Sequence, residues 1–469
     1  MCAWSISEKW GVTRSFAEFV ASLSLDNLPK EVIERGKLLV LDNIACAVGG
    51  RHSELGDFIV NFSCKYSSPA ESTLIGGRIK ISAPFASFSN AVLANALDYD
   101  DTGAGGHTGA TVVPAALAVS EKADANGKQF LLASIAGYEV AERIGDATQP
   151  SWEVYEKVHG KSHQTFGAAA ASCKIYDMTV EEIENAFGVA GVLSPIPSDG
   201  KFGLTERPIT WIKDNVAWAS LAGVFGVELS KEGFIGSKTI LDGDKGFWRM
   251  ICSDKFEYER ILDFNEYWIL RISFKLYPCC RWLHTTLDAL SRIVESNEID
   301  PSEVKEIEVN SIEQFVTGFH DPNPRSMVDA EFSVQYPAIM VLNKIPRSRW
   351  YDRDVFLDPD IRRQLKKVRI TKNEEFTKEF MENRRKYFAD YIPSRVIVRL
   401  NDGSTVEEFQ DFASGSLWNP APKDEIVKKA RELLRRSFGE QQVQELVDTI
   451  LNLENLPDIV NLASLLAHA

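Results

Sequence analysis

The residues best suited to chemistry crowd into one short stretch, ALDYDDTGAGGHTG, which holds Asp98, Asp100, Asp101, Thr102 and His107. Asp98 and Thr102 are four apart, so they share one face if the preceding helix runs that far. Gly103, Gly105 and Gly106 permit positive φ and a close approach of backbone to a ligand. His107 is of the type whose charge changes nearest neutral pH. It precedes an apolar helix in which Pro114 fits the first turn, where no intrahelical N–H is needed. The N-terminus of that helix offers free N–H groups and a positive dipole end, a seat for a carboxylate. Acids, a hydroxyl, a proton carrier and an anion seat suit proton transfer on a carboxylate-bearing molecule. The plainer alternative is a capped helix–turn–helix with solvated aspartates.

A mainly helical scaffold must hold these groups. Apolar residues recur at helical spacing over residues 10–25 and 29–48, and KLLVLDNIACAVGG reads as a buried helix ending at Gly49 and Gly50. Helices also fit residues 84–99, 110–126, 128–147, 163–176, 179–191 and 215–232. STLIGGRIKIS, residues 72–82, is the one β-like stretch in this half. After about residue 264 the pattern changes. VKEIEVNSI, KKVRITKN, RVIVRLNDG and STVEEFQDF read as strands, the last two joined as a hairpin by an Asn-Asp-Gly turn. Helices fit residues 281–296, 329–343 and 374–382, and helical patterning returns over residues 423–469. The expected fold is mainly α with an α+β second domain. Residues 1–266 and 412–469 form the all-helical domain, and residues 267–411 an inserted α+β lid.

Composition excludes several functions. A net charge of −15 over 469 residues argues against nucleic acid and anionic membranes as partners. No apolar run approaches the ~18 residues of a membrane span. The opening MCAWSISEKWGVTRSF is too polar for a signal peptide, and seven scattered cysteines read as reduced thiols, so a cytoplasmic protein is expected. The sequence has no phosphate loop, dinucleotide fingerprint, nucleophile elbow or metal-ligand cluster, so neither cofactor nor metal is expected.

Several motifs, in order, resemble the MmgE/PrpD family. ALDYDDT and the following His107 are similar to that family's ALDFDDT, loop and His-Pro, with a loop one residue shorter and Thr108-Gly109 after the histidine. HGKSHQTFGAAAA resembles its His-Pro-Thr before a Gly-x-x-Gly-Ala-Ala-Ala-Ala helix and matches His159, with His163 beside it. LSKEGFIGSKTILDGDKGF resembles LAxxGxTGPxxxLEGxxGF, and upstream of it Lys213 is nearest to the family lysine that enters a helix. FKLYPCC matches Kx(Y/F)PxC at Lys275, and FSVQY matches the family tyrosine at Tyr336. The resemblance runs from about residue 42 to residue 434. A lysine at a helix N-terminus is unfavourable unless an anion offsets it, which points to a bound carboxylate at Lys213.

The resemblance implies catalytic roles for His107, His159, Lys213, Lys275 and Tyr336, with Asp98 and Thr102 orienting them. His163, Arg281 and His284 are expected to bind substrate. It also implies a homodimer built through the helical domain, with the site between the two domains. Anion holders beside proton carriers suit a carbanion α to a carboxylate on a small polycarboxylate, reached without a metal. Dehydration of 2-methylcitrate, decarboxylation of cis-aconitate and epimerisation of iminodisuccinate share that intermediate. Residue types do not choose among them, and the family's usual name puts dehydration first. The alternative of another class is a non-catalytic helical scaffold, which requires these groups to be scattered and solvated.

Overall fold

The computed structural model describes residues 10–104, 106–202 and 206–469; Gly105 and most of the polar N-terminal stretch read above lie outside them. Among the described residues nine long helices build the first part: α1 (Val12–Ser22), α2 (Lys30–Arg51), α3 (Glu54–Ser63), α4 (Ala83–Asn95), α5 (Thr108–Lys122), α6 (Gly127–Ala147), α7 (Gln164–Ile175), α8 (Val180–Leu193) and α9 (Val216–Lys231). A two-residue ladder, β1 (Ser72–Thr73) with β2 (Lys80–Ile81), is the short hairpin between α3 and α4.

Small residues let these helices touch. A Cβ on Gly137 of α6 would lie 2.8 Å from the Gly167 carbonyl of α7, and one on Gly167 would lie 2.7 Å from the Gly137 carbonyl. On the other side, a Cβ on Gly223 of α9 would meet Ala168 at 2.5 Å. The alanine run of α7 is therefore gripped between α6 and α9, and Phe166 to Cys173 are fully buried. This rigid seat fixes the loop ahead of α7, residues 156–163. Among the described residues no helix is long and apolar enough to cross a membrane.

The second part holds a four-stranded sheet in the order β4–β3–β5–β6: β3 (Val304–Ser311), β4 (Val368–Lys372), β5 (Tyr391–Leu400) and β6 (Thr405–Phe412). β3 pairs parallel with β4 and antiparallel with β5, and β5 forms the expected hairpin with β6. Helix α10 (His284–Ser296) packs on β5 and β6. The chain then returns to the helical part: α11 (Lys423–Leu434) lies on α2, and buried Lys429 reaches Asp42 there at 2.7 Å.

Several elements differ from the sequence reading. The helix expected over residues 84–99 stops at Asn95, and Asp98 has left-handed backbone, φ 49°. Asp98 and Thr102 therefore share no helix face; Thr102 instead pairs by backbone with Ser273, at 2.9 and 2.8 Å. Helix α5 starts at Thr108, so Pro114 sits inside it rather than in its first turn. Helix α2 continues past Gly49 and Gly50 to Arg51. The helix expected over residues 329–343 is broken into Met327–Glu331 and Gln335–Leu342, because Val334 N–H donates to the Phe319 carbonyl and Ser333 Oγ to the Asp321 carbonyl. The helix expected over residues 374–382 runs over Glu374–Tyr387, where Arg384, Arg385 and Lys386 favour the negative end of its dipole.

Candidate active site

A cavity opens beneath the residue 98–107 loop, lined from residues 98–253 on one side and 280–389 on the other. On its floor lies the buried carboxylate of Asp98. Its Oδ1 is 3.3 Å from Lys213 Nζ and 3.5 Å from His107 Nε2. Its Oδ2 is 3.2 Å from Lys275 Nζ, which also donates to the Asp98 carbonyl at 2.9 Å. Burial opposes the Asp98 charge, but Lys213, Lys275 and His107 outweigh it and hold the carboxyl well below its ordinary range. Lys213 also donates to Glu331, which the helix break at residues 332–334 leaves at a helix end. Burial opposes the lysine charge, yet Asp98 and Glu331 raise its pKa. Burial likewise pushes Glu331 up, to about 8, against the pull of Lys213.

His107 is the N-cap of α5 and is held on three sides. Its Nδ1 lies 2.9 Å from Asp100 Oδ2, and Asn95 Nδ2 fixes that carboxylate by donating to Oδ1 at 3.1 Å. Its Nε2 lies 3.5 Å from both Asp98 Oδ1 and Asp214 Oδ2. Burial disfavours the imidazolium, but Asp100 and Asp214 more than offset this and raise its pKa. The seat expected for a substrate carboxylate at the start of α5 is already taken: Gly109 N–H donates to Asp101 Oδ1 at 3.0 Å. Asp101 Oδ2 accepts from Tyr138 at 2.5 Å, and a Cβ on Gly109 would meet that oxygen at 2.0 Å, so only glycine leaves room. Burial and Asp100 raise the Asp101 pKa to about 7.

His159 lines another wall of the cavity. Its Nδ1 is 2.7 Å from the Tyr155 carbonyl, and its ring stacks on Tyr155 at 4.3 Å. A carbonyl only accepts, so Nδ1 carries the proton and Nε2 keeps its lone pair. Burial and Lys161 lower its pKa to about 4, which leaves the ring neutral. Lys161 in turn pairs with Asp199 at 3.0 Å, both lining the cavity, and burial raises Asp199 to about 6 despite Lys161.

The fold thus brings Asp98, Thr102, His107, His159, His163, Lys213 and Arg281 to one cavity, with Lys275 behind Asp98. It does not bring Tyr336 or His284 there. The Tyr336 hydroxyl donates to the Trp350 carbonyl and its ring stacks on Tyr351 at 5.9 Å. His284 is fully buried between the Cys279 carbonyl and Arg281, at 3.3 Å from each. Arg281 is occupied by Asp390 at 2.8 Å. Lys213 precedes α9 rather than opening it, and the protein's own Asp98 and Glu331 already lie against its ammonium group. Sequence reasoning missed Asp214, Glu331, Lys161 and Asp199. Only Asp214 had a local signal, its place next to Lys213.

Where the sequence showed no metal-ligand cluster, the fold sets Asp98, His107 and Asp214 with ligand atoms within 4.8 Å of one another. Two ammonium groups already neutralise Asp98, and Asp100 favours the protonated His107. Such charges compete with a divalent ion, which needs a free carboxylate and a neutral imidazole.

The MmgE/PrpD N-terminal domain matches residues 14–259, and the MmgE/PrpD C-terminal domain matches residues 277–455. The chain is 26% identical to the cis-aconitate decarboxylase of Aspergillus terreus over 488 residues, covering 98% of this chain and 96% of that one. It is 26% identical to the mouse cis-aconitate decarboxylase, covering 97% and 93%, and 25% identical to the human one, covering 97% and 94%.

Proposed function

The chain belongs to the MmgE/PrpD family, and we propose that it is a lyase acting on a small polycarboxylate, in the manner of a cis-aconitate decarboxylase. The observation that carries this reading is the His107 ring, tilted toward its charged form by Asp100 and Asp214 at the edge of a buried cavity. Decarboxylation consumes one proton. The bond to the departing carboxylate breaks, its electron pair stays on the substrate and spreads through the double bond to a second carboxylate, and carbon dioxide leaves. His107 Nε2 then gives its proton to carbon and recovers one from solvent. Lys213 offers positive charge where the carboxylate oxygens gain electron density. The names of the relatives support decarboxylation over the dehydration that the sequence reading put first. The convergence of buried ionisable groups on one cavity is the opposite of what a non-catalytic scaffold requires.

A second reading has one observation in its favour. The His159 Nε2 lone pair suits proton abstraction, which dehydration and epimerisation need and decarboxylation does not. One experiment separates them: purified protein is incubated with cis-aconitate, 2-methylcitrate, citrate and iminodisuccinate in D2O and followed by proton NMR. The proposal expects methylenesuccinate from cis-aconitate with one deuterium taken from solvent. Turnover of 2-methylcitrate or iminodisuccinate, with cis-aconitate untouched, would overturn it.

A further inference from the structure

The cations lining the cavity are not alike. Lys213 contacts Asp98 and Glu331, Lys161 contacts Asp199, and Arg281 contacts Asp390. Arg384 differs: among the described residues no carboxylate lies within 4.0 Å of it, it forms no side-chain hydrogen bond, and Glu156 acts on it only from farther away. It projects from the last turn of the 374–387 helix and is only partly exposed. Its guanidinium lies over the Trp152 ring at 4.8 Å. Trp152 stacks on Tyr155 at 5.4 Å, and Tyr155 on His159 at 4.3 Å. A ladder of rings thus runs from the His159 wall to Arg384, and all four residues line the cavity.

A guanidinium stacked on a ring keeps its edge free, and that edge matches a carboxylate through two parallel N–H donors. At the Asp98 end of the cavity the lysines are already engaged by the protein's own acids. Burial outweighs the pull of Tyr155 and of the more distant Glu156 and disfavours the Arg384 charge, so its lost solvation is only partly replaced. We propose that Arg384 is a specificity-determining residue that anchors a substrate carboxylate remote from the reacting carbon, and so selects tricarboxylates over dicarboxylates. This rests on the reading of the cavity as a polycarboxylate site; it adds which side chain counts the carboxylates.

The test is calorimetric binding of cis-aconitate, with three carboxylates, and of trans-glutaconate, which keeps the double bond, the departing carboxylate and the carboxylate at the protonated carbon but lacks the third. Wild type, Arg384→Gln and Arg384→Lys are compared, with turnover of cis-aconitate measured on the same preparations. Loss of a charged, bidentate contact should weaken cis-aconitate by roughly 10- to 100-fold in Arg384→Gln, with trans-glutaconate affinity unchanged. Arg384→Lys, which keeps the charge and loses the fork, should fall between. KM should rise while kcat changes little, because the contact is equal in ground and transition states. If Arg384→Gln weakens both ligands equally, or neither, the anchor is refuted and the residue only packs on Trp152. If wild type binds cis-aconitate without decarboxylating it, the proposed reaction fails while the ratio of the two affinities still decides the anchor. If wild type binds neither ligand, both fall together.

Discussion

His107 and His159 face one cavity from walls made of opposite materials. Around His107 stand Asp98, Asp100 and Asp214, and the ring is raised toward its charged form. Around His159 stand an aromatic face, a backbone carbonyl and Lys161, and the ring is neutral down to about 4. The same side chain is favoured in its charged form on one wall and keeps a lone pair on the other. The difference comes from neighbours alone, since an isolated histidine titrates near ~6.5. Two like groups whose surroundings drive them apart are how one site holds an acid and a base at once.

The comparison breaks most sharply at His107. His107→Ala should lower kcat at least ~100-fold, the low end of what a positioned acid contributes, with melting temperature and binding of cis-aconitate measured on the same sample. A folded variant with wild-type kcat would remove the proton donor from the account.

Asp100→Asn tests the cause rather than the group. Without that carboxylate the His107 pKa falls, so the protonated fraction is lost at lower pH. The alkaline limb of kcat/KM should move to lower pH, and the rate on that limb should fall. An unmoved limb would mean that Asp100 does not set the His107 charge.

A smaller effect is expected at His159. If decarboxylation needs no base, His159→Gln should lower kcat less than about tenfold, whereas a loss of ~100-fold would favour the proton-abstracting reactions. Its pKa is depressed on folding, so its contribution to stability is complete above the unfolded value near ~6.5 and is lost as pH falls toward 4. Wild type should therefore lose melting temperature between pH 6.5 and pH 4 more steeply than His159→Gln, as scanning calorimetry would show. The smallest effect is that of chelation: with Lys213 and Lys275 already neutralising Asp98, EDTA should leave turnover unchanged. Loss on chelation, restored by one divalent ion, would show that the Asp98, His107 and Asp214 group does bind metal.

Much of the fold was legible because periodicity is local. The α6 and α7 spans, the β5–β6 hairpin and the histidine just ahead of α5 follow from spacing and turn residues. The site was legible only where its residues are neighbours in sequence. Asp98 and His107 belong to one motif, but Glu331 reaches Lys213 only because bonds from Val334 N–H and Ser333 Oγ to the residue 319–321 segment break a helix that periodicity reads as continuous. Lys161 and Asp199 meet through a loop pairing, Asp199 N–H to the His159 carbonyl at 3.0 Å, with no periodic signal. Pro114 misled for a related reason. It fits a first turn by type, yet Asp101 caps the helix from the preceding loop and α5 starts at Thr108. Tyr336 matched a motif by letter, and its hydroxyl turned to a backbone carbonyl away from the cavity.

One cavity holds two histidines in surroundings that favour opposite protonation states. Nitrogen-15 NMR of histidine-labelled protein reads each ring directly, with the signals assigned through His107→Ala and His159→Gln. His107 should stay charged above the ordinary histidine range, and His159 should remain the neutral Nδ1–H tautomer until about pH 4. Two rings titrating together between pH 6 and pH 7, or the assignments reversed, would contradict it.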